Sequence, residues 1–137
     1  MDMSVEWKGG LEFESELPSG HSVTVDAKKE SGGNNNGPRP TELLLNGLAG
    51  CTGVDVIMIL NKMNQDVADF EIDIESKRAK EHPKRFTDIH IIYKLKGKDL
   101  DEKKVKRAID LSEEKYCSAS ASLNANITSE YIIEEVE

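Results

Sequence analysis

Residues 40–63, "PTELLLNGLAGCTGVDVIMILNKM", decide how the rest of the chain is read. Pro40 suits a first helical turn, where its missing N–H costs nothing. Glu42 places a carboxylate at the positive end of the helix dipole. From there the run stays apolar to about Met63, so the spacing predicts one long helix. Gly47, Gly50 and Gly53 recur every three residues around Cys51, although each glycine costs a helix interior roughly 1 kcal/mol against alanine. Such a cost reads as clearance: a second helix or another segment must come close to Cys51. Apolar residues occupy nearly every face from Leu43 to Leu60, and a helix apolar all round is buried all round. Either its own sheet wraps it, or two copies bury each other's helices; the dimer is the reading preferred here.

The flanking segments follow from their periodicity. Residues 3–8, 11–17 and 21–27 read as a three-stranded meander turning at Gly9-Gly10 and at Ser19-Gly20. "KKESGGNNNGPRP" is then a loop, expected to be mobile. In residues 69–78 Phe70, Ile72 and Ile74 point one way and acids the other. Residues 86–96 alternate around Ile89, Ile91, Tyr93 and Leu95, so the two segments form a long hairpin across "AKEHPKR". Asp101 opens a second helix whose inner stripe is Val105, Ala108, Ile109, Ser112 and Tyr116. That helix breaks near Cys117, a short helical piece holds 118–124, and a last strand covers 127–136. The order βββ-α-ββ-α-β is α+β, and 137 residues suit a single domain, 1–137.

A net charge of −8 and 5% aromatic residues leave no basic stripe for nucleic acid. The same acidity argues against an anionic membrane surface. No segment reads as the ~18 apolar residues of a membrane span, and "MDMSVEWKGG" has no apolar targeting region. The expected setting is cytoplasmic, where a permanent disulfide is not expected.

That leaves two thiols to explain. Cys51 stands among glycines, and Cys117 stands in "KYCSASAS", followed only by small residues as far as Leu123. Buried free cysteine is a common small hydrophobe, so both can simply pack. Zinc is disfavoured, because cysteines 66 positions apart (117 − 51) lack ligand spacing and the histidines lie in or beside strands. The remaining reading is a reactive pair. A peroxide-reducing cysteine must be a thiolate within reach of a second thiol. No metal or organic cofactor is called for.

"GPRPTELLLNGLAGCTGVDVIMIL" resembles the first-cysteine helix of the OsmC/Ohr family, the osmotically inducible and organic hydroperoxide resistance proteins. "AIDLSEEKYCSASASLNANI" resembles that family's second-cysteine segment, and the element order is similar along nearly the whole chain. The resemblance implies an intertwined homodimer with active sites at the subunit interface. It implies that Cys51 attacks an organic hydroperoxide and that Cys117 resolves the sulfenic acid as a disulfide. A dithiol reductant, often lipoyl-linked, would then restore both thiols. A redox-sensing or small-ligand-binding dimer without turnover is the alternative use of the same fold.

The chain departs from the hydroperoxide-resistance pattern in two places. Those members carry an arginine in the N-terminal strands, whereas here no arginine precedes Arg39. They place glutamate directly after the helix-opening proline, where this chain has Thr41 and only then Glu42. One residue turns a helical side chain by about 100°. "SGH", "GPRPTELLL", "EHPKRFT" and "LSEEKYCS" resemble a less characterised subgroup instead. Cys51 lies eleven residues past Pro40, beyond the reach of its own helix dipole, so a cation is needed from elsewhere. Lys8, His21, Arg39, Arg78 and Arg85 are candidates, with His21 and Arg39 favoured; the plain reading of His21 is a solvated strand residue. Glu42 either orients such a cation, acts across the dimer, or serves as a first-turn acid. His82 and His90 read as a loop and an outward strand residue. Asp55, four residues beyond Cys51, shares its helix face, and a charge there raises the thiol unless paired. Either Asp55 carries a cationic partner, such as a lysine or arginine of the hairpin, or Cys51 is less reactive than the resemblance implies.

Overall fold

Glycines and a buried acid shape the N-terminal region. In the computed structural model, which describes residues 1–137, Ser4–Trp7 (β1), Phe13–Glu16 (β2) and Ser22–Val25 (β3) form an antiparallel meander in that order. Gly9 and Gly10 turn β1 into β2 with positive φ of 98° and 55°, a conformation glycine adopts freely. The loop that follows is tied down around Asp26. Its buried carboxylate accepts the backbone N–H groups of Ala27 at 2.7 Å and of Asn34 and Asn36 at 3.1 Å. Gly33 and Gly37 run so close to the backbone of Ala27 and Thr24 that a Cβ would overlap it. The loop therefore has a built conformation where mobility was expected, plus one 3-10 turn at Lys29–Ser31.

The long helix, α1, spans Pro40–Lys62 as its sequence predicts. The chain divides inside it into two compact units, residues 1–46 and 47–137. Only one stripe of α1 is buried: Leu48, Thr52, Val56 and Leu60, spaced by four. Leu44, Val54 and Met58 are exposed, so α1 is not wrapped all round by its own chain. α1 also corrects the expectation about membrane spans. An 18-residue window of mean hydropathy 1.9 makes it long and apolar enough to cross a membrane by length and composition. Its glycines and Thr52 interrupt the apolar run to the eye but scarcely lower that mean. A core helix passes the same test, but here only 22% of that window is buried.

In the second unit, Val67–Arg78 (β4), Phe86–Gly97 (β5) and Asn126–Glu135 (β6) form a sheet ordered β4-β5-β6. β4 and β5 are the expected antiparallel hairpin; β6 joins β5 in parallel. The central strand buries Ile89, Ile91, Tyr93 and Leu95 and turns Lys94 and Lys96 outward, the period-2 pattern of a sheet with one covered face. Ile72 and Tyr131 lie beside Tyr93 in the register, so one apolar face runs across all three strands.

Glu102–Leu111 (α2) is capped by Asp101, which accepts the Lys103 N–H at 2.9 Å. Val105, Ala108 and Ile109 are buried as expected. The stripe then changes phase: Ser112–Tyr116 forms a π turn closed by the Cys117 N–H on the Ser112 carbonyl at 2.7 Å. A π turn inserts extra residues per revolution and often marks functional sites. Ser112 stays inside, but Tyr116 swings out to 49% exposure, which corrects its place on the inner stripe. Cys117 ends the turn and opens the short helix Ser118–Ser122 (α3).

Candidate functional site

The π turn and the buried stripe of α1 bring together what the chain keeps far apart. The sulfurs of Cys51 and Cys117 and a carboxylate oxygen of Asp55 all lie within 4.8 Å of one another. Both thiols are free, Cys117 buried and Cys51 half-buried. Asp55 is four residues past Cys51, so one helical turn sets it on the same face. Cys117 accepts the Ser120 N–H at 3.4 Å through its own sulfur. Burial pushes the Cys117 thiol up, the Ser120 contacts pull it down, and the Cys51 sulfur beside it pushes it up again. Cys117 is therefore held as a thiol facing its partner sulfur.

Behind the sulfurs runs a chain of buried hydroxyls. Thr52 Oγ1 lies 2.8 Å from both Tyr93 Oη and Ser112 Oγ. Ser112 Oγ is 3.0 Å from Asp55 Oδ2, and Tyr93 Oη is 3.0 Å from Glu113 Oε1. Thr52, Tyr93 and Ser112 are essentially inaccessible to solvent. Burial raises the Tyr93 phenol far above its usual range, against the Thr52 hydrogen bond and with help from the Glu113 charge. Asp55 thus has a hydroxyl partner and forms no ion pair, so of the two alternatives for it the lysine or arginine of the hairpin is not met. Lys62 shares with Asp55 only the lining of a small cleft, beside Met58, Ile59 and Tyr116.

A cavity of about 210 Å³ opens beside Cys117, lined by Leu48, Thr52, Ile91, Glu113, Ala121 and Ile127 among others. The small residues after Cys117 leave this space. Leu48 lines it, whereas Val54 is exposed. Of the three glycines in α1, only Gly53 meets a close neighbour, Ile72 Cδ1, 3.1 Å from where a Cβ would stand. Nothing lies within 4 Å of the same point at Gly47 or Gly50, so their clearance is not used within the chain.

His21, Arg39 and Glu42 belong to the N-terminal unit. Exposed His21 shares a 2.9 Å hydrogen bond with Ser19 Oγ, and Arg39 donates to the Gly37 carbonyl at 3.0 Å. Glu42 is exposed in the first turn of α1. His90 bonds Thr128 and Glu130 on the outer face of the sheet. As for a metal, the sulfurs and Asp55 bring three donors together where the sequence offered two. They remain one short of the four protein ligands of a structural zinc site, and Asp55 and Cys117 are already engaged by Ser112 and Ser120.

The family model for OsmC-like proteins matches residues 32–131. The chain belongs to the OsmC-like family. Protein YhfA of Escherichia coli K12 is 40% identical over 133 residues, 96% of each chain. A crystal structure of a hypothetical protein from Aquifex aeolicus VF5 is 36% identical, covers 98% of this chain and 97% of its own, and gives a TM-score of 0.79. The organic hydroperoxide resistance protein OhrB of Bacillus subtilis is 20% identical across 96% of this chain and 98% of its own, with a TM-score of 0.62; that likeness concerns the OsmC-like fold.

Four polar residues of this OsmC-like site, Thr52, Tyr93, Ser112 and Glu113, went unread as a group in the sequence. The available signal was a hydroxyl residue at core positions: Ser112 on the stripe of α2 and Thr52 on that of α1.

Proposed function

We propose that this OsmC-like protein is a thiol-dependent peroxidase for organic hydroperoxides. The observation that supports it is the meeting of the Cys51 and Cys117 sulfurs, within 4.8 Å and unbonded, with Cys117 lining a cavity whose walls mix apolar Leu48, Ile91 and Ile127 with polar Thr52, Glu113 and Ser120. The Cys51 thiolate attacks the hydroxyl-bearing oxygen of the peroxide. The O–O bond breaks, its electron pair leaves on the alkoxide, and the alkoxide takes a proton to become an alcohol. Cys51 is now a sulfenic acid. The Cys117 sulfur attacks it, a Cys51–Cys117 disulfide forms and water departs. A dithiol then reduces the disulfide by exchange; a lipoyl-linked dithiol suits that step.

The chain acts as a single OsmC-like domain in a cytoplasmic homodimer. The exposed Leu44, Val54 and Met58 of α1 and the open Gly47 and Gly50 support a second copy covering that face. In this reading His21 or Arg39 supplies the cation that activates Cys51, and Glu42 orients that cation.

Asp55 beside both sulfurs favours a second reading, a redox-sensing dimer that is oxidised once without turnover. Adding cumene hydroperoxide to the reduced protein, then dihydrolipoate, separates the two. Repeated peroxide loss supports the peroxidase, and a single stoichiometric loss of thiols supports the sensor. Intact thiols would overturn both.

A further inference from the structure

We propose that Ser112, Thr52 and Tyr93 form a buried proton wire between Asp55 and Glu113, and that the two carboxylates share one proton which the wire delivers beside Cys51. Asp55–Ser112, Ser112–Thr52, Thr52–Tyr93 and Tyr93–Glu113 are four hydrogen bonds of 2.8 to 3.0 Å. Each needs one proton, and a hydroxyl carries only one. Three hydroxyls supply three protons. With both carboxylates ionised, one bond would face oxygen to oxygen at a hydroxyl closed to solvent, a costly arrangement for buried polar groups. A fourth proton on either carboxyl completes the chain.

The chain then has two complete states. In one, Glu113 donates to Tyr93, Tyr93 to Thr52, Thr52 to Ser112, and Ser112 to ionised Asp55. In the other every donor is reversed, and the charge rests on Glu113. Each hydroxyl passes its own proton on as it accepts the next, so no atom other than hydrogen moves far. The groups that bias the choice are Cys51, Cys117 and Lys62 near Asp55, and the open cavity beside Glu113. His90 and Lys94 of β5 pair with Glu130 and Asp73. A thiolate at Cys51 favours the state with Asp55 neutral and the charge moved to Glu113, away from the sulfurs.

The use of the wire rests on the peroxidase reading; the shared proton does not. When the O–O bond breaks, Asp55 gives its proton to the departing alkoxide. Glu113 takes a replacement from cavity water, and the three hydroxyls relay it to Asp55. Asp55 is thereby a catalytic acid, and Thr52, Tyr93, Ser112 and Glu113 act through it.

Asp55→Asn and Glu113→Gln test this, because each amide N–H supplies the fourth proton and fixes the charge at the opposite end. In the infrared spectrum of the reduced wild-type protein at neutral pH, one protonated carboxyl per chain is expected, absent from either variant. Glu113→Gln pins the charge on Asp55, so the pH midpoint of Cys51 alkylation should rise by about one unit, a tenfold slower reaction below it. Asp55→Asn should not raise it. No acid band in the wild type, or equal shifts in both variants, would overturn the wire even if peroxide turnover is intact. A band and unequal shifts without peroxide turnover would uphold the wire and remove only the peroxidase reading.

Discussion

The Cys51 and Cys117 sulfurs lie within 4.8 Å of each other at the meeting of α1 and the π turn, with no bond between them. Oxidation should join them within one chain. The bond would close a loop of 66 positions (117 − 51), worth about 4 kcal/mol against the unfolded chain in the entropy model. Oxidised protein should therefore unfold at higher urea than reduced protein. In Cys117→Ser the same peroxide treatment should leave a sulfenic acid on Cys51 that a dimedone probe captures, detected by mass spectrometry. Burial raises the Cys117 thiol, so Cys117 should alkylate more slowly than a free thiol at every pH below its folded value.

Thr52→Val keeps the shape of the side chain and removes the centre of the hydroxyl chain. It leaves Tyr93 and Ser112 each short of a partner in the core. A loss of about 1–3 kcal/mol is expected, seen as a lower urea midpoint with an unchanged slope.

Gly47→Ala and Gly50→Ala address the exposed face of α1. Nothing stands within 4 Å of either added methyl in the chain, so each should gain about 1 kcal/mol of helix propensity in a monomer. If a second copy covers this face, the methyls should instead weaken association. Sedimentation at several concentrations should show Gly50→Ala shifted toward monomer relative to wild type.

Asp26 predicts an acid limb. Backbone hydrogen bonds, that of Asn36 first, lower its pKa against the opposing effect of burial. The unfolded chain holds the proton more readily, so the stabilisation is complete above the unfolded value near pH 4. It is lost as pH falls through the lower folded value. Asp26→Asn should be less stable than wild type at neutral pH and should lose less on acidification, measured by thermal melts from pH 7 to pH 3.

The elements were legible because their signals are local. Pro40 and the unbroken run after it gave α1, Asp101 gave the start of α2, and the alternation of Phe70, Ile72 and Ile74 gave β4. Tyr116 was misplaced because a π turn changes helical phase without a mark in composition. The parallel pairing of β6 with β5 was unread, since a strand's own pattern says nothing about its partner's direction. The hydroxyl chain was illegible for a related reason. Thr52 meets Tyr93 across 41 positions and Ser112 across 60, and each alone looks like a tolerated polar residue. The OsmC/Ohr likeness drew attention to the two cysteines, while Asp55 was noticed only for its spacing from Cys51.

The central claim is that Cys51 turns over organic hydroperoxide with Cys117 and a dithiol. The most direct measurement is steady-state consumption of cumene hydroperoxide with dihydrolipoate as the sole reductant, in wild type and Cys51→Ser. The account predicts many equivalents of peroxide reduced per wild-type chain and none above background in Cys51→Ser. Equal rates in the two proteins, or a wild-type reaction that stops after one equivalent with dihydrolipoate in excess, would contradict it.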